Sequence, residues 1–199
     1  METTKKYELS NEATKFNGVI LYRIKALKDF SDVKAGDLGG WIEKEENLSQ
    51  TDNAWIGGNA KAYANAKVYG NAVVCDSAQV FGNAKVCGDA EICCYAEILE
   101  NAVVFGNTEI YDDAKVYGNA EIYRNAKVFG NAEICGNAIV RGNAEIYRNA
   151  KVYGFAEVYG NAQVYGNAVV YGYAEICGNT WVYGNAEICG NAEIGRAHV

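Results

Sequence analysis

The chain has 199 residues, 50% of them hydrophobic, with no proline, seven cysteines, one histidine and a formal charge of −7. An acidic chain of this length holds one or two domains and offers no basic surface for a nucleic acid to follow, so no nucleic-acid partner is expected. The start, Met1 to Asn11, is charged and lacks the apolar stretch of a secretory signal, and no run of about 18 apolar residues exists to span a membrane as a helix.

In chain order, residues 1–47 follow no repeat. Lys6-Tyr7-Glu8-Leu9 and the run Val19 to Leu27 read as strands, and Lys34 to Ile42 reads as a Gly-rich turn feeding another short strand. The sequence Gly36-Asp37-Leu38-Gly39-Gly40 is not a phosphate loop, because neither Lys-Ser nor a helix follows. This region is expected to cap the end of what comes next, since an open sheet edge invites unwanted pairing.

Residues 48–194 are built on a six-residue unit, written plainly as Val158-Tyr159-Gly160-Asn161-Ala162-Gln163. Every sixth position from Ile56 to Ile194 is Ile or Val except Ala62, and two residues earlier stands Ala except at Thr108 and Thr180. Positions i and i−2 share one face of a strand, so the branched residue and the alanine point inward together. The residues on either side of the branched one point outward, and Gly and Asn then tolerate a sharp corner. A helix is excluded by the period and by the recurrence of Gly and β-branched residues. One unit cannot stand alone: burying a Val or Ile contributes roughly 1.5–3 kcal/mol, against roughly 6–12 kcal/mol for fixing six residues of backbone. Stability must come from stacking on neighbours. The last stretch, residues 195–199, abandons the pattern, with Arg196 and His198 where Gly and Ala belong. It has the look of a translated adapter, and the natural chain is expected to continue beyond Val199.

This pattern resembles the bacterial hexapeptide-repeat family: an aliphatic residue, a small residue four later, and a fresh start at six. The resemblance implies an all-β fold, a single-stranded left-handed parallel β-helix, triangular in section, with three hexads per 18-residue coil. It implies about 8 coils over the repeat, a rod roughly 38 Å long at the usual strand spacing. The position after the aliphatic residue, often small or acidic in that family, is here Tyr, Phe or Cys. A second resemblance is narrower. Asp29 to Gly36, then Gly39-Gly40-Trp41, Leu48-Ser49-Gln50 and Trp55-Ile56 resemble the opening segment of YdcK-like proteins, often labelled transferases without an established activity.

On an 18-residue coil, outward columns follow by stepping 18. Tyr111, Phe129, Tyr147, Tyr165 and Tyr183 form one, and Tyr117, Cys135, Tyr153 and Tyr171 another. Beside them Lys115, Glu133 and Lys151, and Lys127 with Glu145, alternate in sign. Asn65, Asn83, Asn101, Asn119 and Asn137 form a corner ladder that Phe155 and Tyr173 interrupt. Six of the seven cysteines take the outward position, Cys94 being the exception. Cys75 and Cys93, 18 apart, are stacked neighbours for which a bridge is conceivable; reduced packing thiols in a reducing cytoplasm are the expectation. No C-x-x-C occurs and no histidine accompanies the thiols, so neither a zinc site nor a cofactor is expected.

Rings stacked along the rod contribute structure, about 0.2–1 kcal/mol per pair. A flat aromatic stripe several coils long also exceeds what monomers usually expose, which makes it a docking face. Sugar stacking lacks a pocket, and ice binding lacks regular Thr arrays. Hexapeptide-repeat acyltransferases resemble one another in using a His base near a protruding loop; here the sole His is His198, and no loop interrupts residues 54–194. The expectation is therefore a non-enzymatic scaffold with no catalytic residues. It is a homo-oligomer through its aromatic faces or an open C-terminal edge, with the identity of any other protein partner unread. The alternatives are an acidic decoy for a basic nucleic-acid-binding protein and an acyltransferase.

Overall fold

The computed structural model describes residues 5–195. Residues 196–199, with His198 and most of the non-repeat tail, lie outside the described residues, as do residues 1–4.

From Trp55 to Ile194 the chain is a parallel β-solenoid of short strands, most of two residues, such as Lys151–Val152. Each strand pairs with the one three units later, which puts eight solenoid strands in each of three sheets; one sheet also takes in the three strands that precede the repeat, so the sheets have 11, 8 and 8 strands. The register offset is 18: Val116 faces Ile134, and Ile134 faces Val152. Amides of one coil donate to carbonyls of the next, as Tyr153 N–H does to Val170 O at 3.0 Å. The inward positions form one unbroken interior in which Ala132, Ile134, Ala150 and Val152 are all 0% exposed. Branched residue and alanine thus share one core, with rings and charges outside, as the alternation requires. Thr108, fully buried in an alanine position, keeps its hydroxyl satisfied by donating to Phe105 O at 2.8 Å.

The corners turn in the left-handed region. Gly136 has φ 69, and a Cβ there would stand 2.8 Å from the backbone nitrogen of Gly154. Several corners hold other residues in the same conformation, among them Asp76, Glu100 and Asp112. These acidic corners gain something a glycine cannot supply. Their carboxylates accept the corner N–H one coil on: Asp76 from Cys94 at 3.1 Å, Glu100 from Gly118 at 2.8 Å, Asp112 from Gly130 at 3.1 Å. Charge-assisted bonds of this kind are about twice as strong as neutral ones, which offsets backbone strain.

Three strands precede the repeat. β1 (Tyr7–Phe16) and β2 (Val19–Ala26) form an antiparallel hairpin, and β3 (Leu38–Ile42) pairs antiparallel with β2. β3 also pairs parallel with Lys61–Ala62, so the hairpin continues one face of the solenoid. Leu48 bridges Val68 on the next face, and with β3 it begins a ninth coil below the expected eight. That coil is offset by 20 residues (Ile42 to Ala62, Leu48 to Val68), because Ile56 follows Leu48 after eight residues instead of six. Gly39 and Gly40 have no room for a side chain: a Cβ on either would stand 2.5 Å from the Trp55 ring or from Ala60 O.

The partial coil below reaches only some carbonyls of the first full coil, Ala60 O accepting from Trp41 N–H and Val68 O from Ser49 N–H at 2.9 Å each, and three side chains take up others there and in the partial coil itself. Lys6, 1% exposed, donates from Nζ to Asp52 O (2.9 Å) and Ala54 O (2.7 Å). Asn47, 0% exposed, donates from Nδ2 to Ala64 O (3.1 Å) and Ala66 O (2.9 Å). The Tyr7 hydroxyl lies 3.0 Å from Glu45 O and 2.8 Å from Leu48 O. Buried polar groups must be paired, and here the pairing is done by residues that belong to no repeat. Among the described residues no helix is long and apolar enough to cross a membrane.

Candidate functional site

The strands at Glu109–Ile110, Lys127–Val128, Glu145–Ile146, Gln163–Val164 and Trp181–Val182 stack in register on one face. The residue after each pair is outward by strand alternation, which brings Tyr111, Phe129, Tyr147, Tyr165 and Tyr183 into one column. Their ring centroids are 4.9, 4.8, 4.8 and 5.4 Å apart in succession, with interplanar angles of 6°, 2°, 7° and 13°. The structure therefore gathers all five sequence-predicted residues into a single stack.

The strand spacing makes these contacts near-parallel, and aromatic pairs add about 0.5–1.5 kcal/mol each beyond area burial. It also decides what the stripe shows to solvent. Ring faces are occupied by neighbouring rings, so Tyr111, Phe129, Tyr147 and Tyr165 are half-buried and present ring edges and, from the tyrosines, hydroxyls, while Tyr183 is 58% exposed. Burial, then the adjoining Tyr165, holds the Tyr147 hydroxyl above its ordinary pKa, and burial does the same for Tyr111.

Charges border the stripe. Lys127 Nζ meets both carboxylate oxygens of Glu109, at 2.8 and 2.9 Å, and the Arg148 guanidinium lies 6.0 and 5.7 Å from the Tyr147 and Tyr165 rings. Where alternation of sign is present, lysines reach back one coil. Lys151 pairs with Glu133 (3.2 Å), whereas Lys115 pairs with Glu97 (3.0 Å) and Lys127 with Glu109 rather than Glu145. At the far end of the stripe Trp181, 63% exposed, stands beside Tyr183 in the column that holds Glu109, Lys127, Glu145 and Gln163 in the coils before it.

The second expected column is broken: Tyr153 and Tyr171 stack at 5.1 Å, and Cys135 separates them from Tyr117. Phe155 and Tyr173, which interrupt the asparagine ladder, stack on each other at 5.0 Å. The ladder itself runs from Asn65 to Asn137 through side-chain amide bonds of 3.0–3.1 Å. A third column escaped the sequence reading. Phe105 and Tyr123 stack at 4.8 Å, and the Arg141 guanidinium lies 4.2 Å from the Tyr159 ring while bonding Glu157 at 3.1 Å. Stepping 18 from Phe105 would have found it. All seven cysteines are free thiols, Cys75 and Cys93 among them.

No family model matches the chain. It is similar to "Uncharacterized acetyltransferase YdcK" of Escherichia coli (strain K12), with 43% identity over 60 residues. The match covers 26% of this chain and 18% of the relative's length. With the 18-residue stacking, this agrees with the hexapeptide-repeat reading.

Proposed function

We propose that the chain is a non-enzymatic scaffold whose Tyr111–Tyr183 face docks against the same face of a second copy. The observation that supports this is the straight, in-register stack of five rings, spaced at 4.8–5.4 Å and ending in the exposed Trp181 and Tyr183. A row with this pitch is matched most simply by another row of the same pitch, and a two-fold axis makes one face its own partner. Hydroxyl-bearing ring edges suit such a contact, because tyrosine buries area while its oxygen still finds a donor or acceptor.

The test is size-exclusion chromatography with light scattering on the wild type and on Tyr147→Ser/Tyr165→Ser. The expected result is a dimer that becomes monomeric in the variant. A monomeric wild type overturns the proposal. A second reading, acetyl transfer, draws on the name of the Escherichia coli relative. Acetyl-CoA-dependent release of free thiol above the uncatalysed rate would favour it over the scaffold.

A further inference from the structure

We propose that Cys75, Asp76, Cys93 and Cys94 form a binding site for a thiophilic divalent cation of the zinc type. The solenoid brings them together. Val74 faces Ile92 in the ladder, so the dipeptide Cys75-Asp76 lies directly beneath the dipeptide Cys93-Cys94, one coil apart. The result is a two-by-two array of ligating side chains at one corner: three thiols and a carboxylate.

The distances suit one ion. The Cys75 and Cys93 sulfurs and a carboxylate oxygen of Asp76 all lie within 4.8 Å of one another. The Cys93 and Cys94 sulfurs are 4.0 Å apart. Sulfurs bound at about 2.3 Å to one tetrahedral zinc stand about 3.8 Å from each other, so Cys75, Asp76 and Cys93 are near that spacing, while Cys94, outside this mutually close trio, joins as the fourth ligand by a side-chain rotation. Three sulfurs and one oxygen fill four positions, which describes a closed, structural site. Soft thiolates select zinc and its congeners over calcium or magnesium.

The surroundings support that chemistry. Asp76 is already oriented: Oδ2 accepts the Cys94 N–H at 3.1 Å, leaving the other oxygen for a metal. Gly57 stands below Cys75 in the same outward column, and a Cβ there would be 4.0 Å from that of Cys75 and 3.8 Å from the Trp55 ring, so this side is uncrowded. Tyr111 follows Cys93 on the other side, leaving the three thiols half-buried.

The experiment is a cadmium titration of the reduced full-length chain, followed by the thiolate-to-cadmium charge-transfer band in the ultraviolet. The expected result is saturation at about one cadmium per chain, competition by zinc, and a rise in melting temperature with zinc that a chelator reverses. Cys75→Ser/Cys93→Ser should abolish the band, whereas Cys135→Ser/Cys177→Ser should leave it unchanged. Circular dichroism checks that each variant folds. Should Cys75→Ser/Cys93→Ser misfold, Asp76→Asn/Cys94→Ser carries the test and should weaken binding at least about tenfold. The proposal is overturned if the reduced wild type shows no band, or if the band survives in Cys75→Ser/Cys93→Ser.

Discussion

The first coil and the coils stacked on it face the same demand, a buried partner for every carbonyl, and meet it by different means. In the body Ala72 O accepts from Trp55 N–H at 3.0 Å and Val170 O from Tyr153 N–H at 3.0 Å. Any side chain of suitable size leaves these bonds intact. At the lower end Ala54 O depends on Lys6, and Ala66 O on Asn47. The body is therefore specified by pattern and the end by individual residues. A solenoid of this kind tolerates changes that preserve the hexad, and it is vulnerable wherever stacking stops.

Breaking the body requires removing volume. Ile134→Ala should cost the most, about 2–5 kcal/mol, because the coils above and below cannot close the gap. Urea unfolding reads this as a lower midpoint. Breaking the end requires removing a donor. Asn47→Ala, which leaves the buried Ala66 carbonyl and the part-buried Ala64 carbonyl unpartnered, should cost about 2–3 kcal/mol, although its truncated volume is small. The equivalent body substitution, Asn119→Ala on an exposed amide ladder, should cost about 1 kcal/mol or less. If both cost the same, the distinction between end and body fails.

Lysine 6 sharpens the contrast through pH. Burial dominates and lowers its pKa to about 8 from the ordinary 10.5, despite Asp52 nearby. Between these values the folded chain holds fewer protons at Lys6 than the unfolded chain, so this residue's contribution to stability rises with pH across that window. The thiols of Cys75 and Cys93 are raised instead, so their contribution falls once unfolded thiols ionise, above about 8.5. The stability of wild type minus Lys6→Met should therefore grow between pH 8 and 10, while the wild type alone weakens. A flat difference would mean that Lys6 keeps its ordinary pKa. The smallest effect belongs to the outer charges: Lys151→Ala removes a half-exposed pair with Glu133 and should cost about 0.5 kcal/mol or less.

What could be read from residues alone follows the same division. The core was legible because each branched residue and alanine repeats its position, so Ile134 and Ala132 needed no knowledge of distant partners. The five-ring column was legible once a coil length was assumed. The hairpin turn was present but overlooked: Asn17-Gly18, with φ 47 and 83, is a type I′ signature, and β1 extends to Phe16 where only Lys6 to Leu9 was expected. The first coil was obscured by the two extra residues between Leu48 and Ile56, which shift the phase. Lys6 and Asn47 were illegible because their partners lie up to 48 residues away. The thiol array was hidden for a related reason. Stepping 18 paired Cys75 with Cys93, but a search for C-x-x-C looks along the chain and does not join the dipeptide Cys75-Asp76 to the dipeptide Cys93-Cys94 one coil away.

The 18-residue offset has a consequence for length. Excising one whole coil, such as residues 120–137, would shorten the rod by about 4.8 Å and leave every later ring on its original side. Excising a single hexad would preserve the interior equally well, yet rotate everything beyond the cut by a third of a turn. Tyr165 and Tyr183 would then continue a different stripe. Length and facing are thus separately adjustable: the hexad sets which way a residue looks, and the triplet of hexads sets how far along it stands.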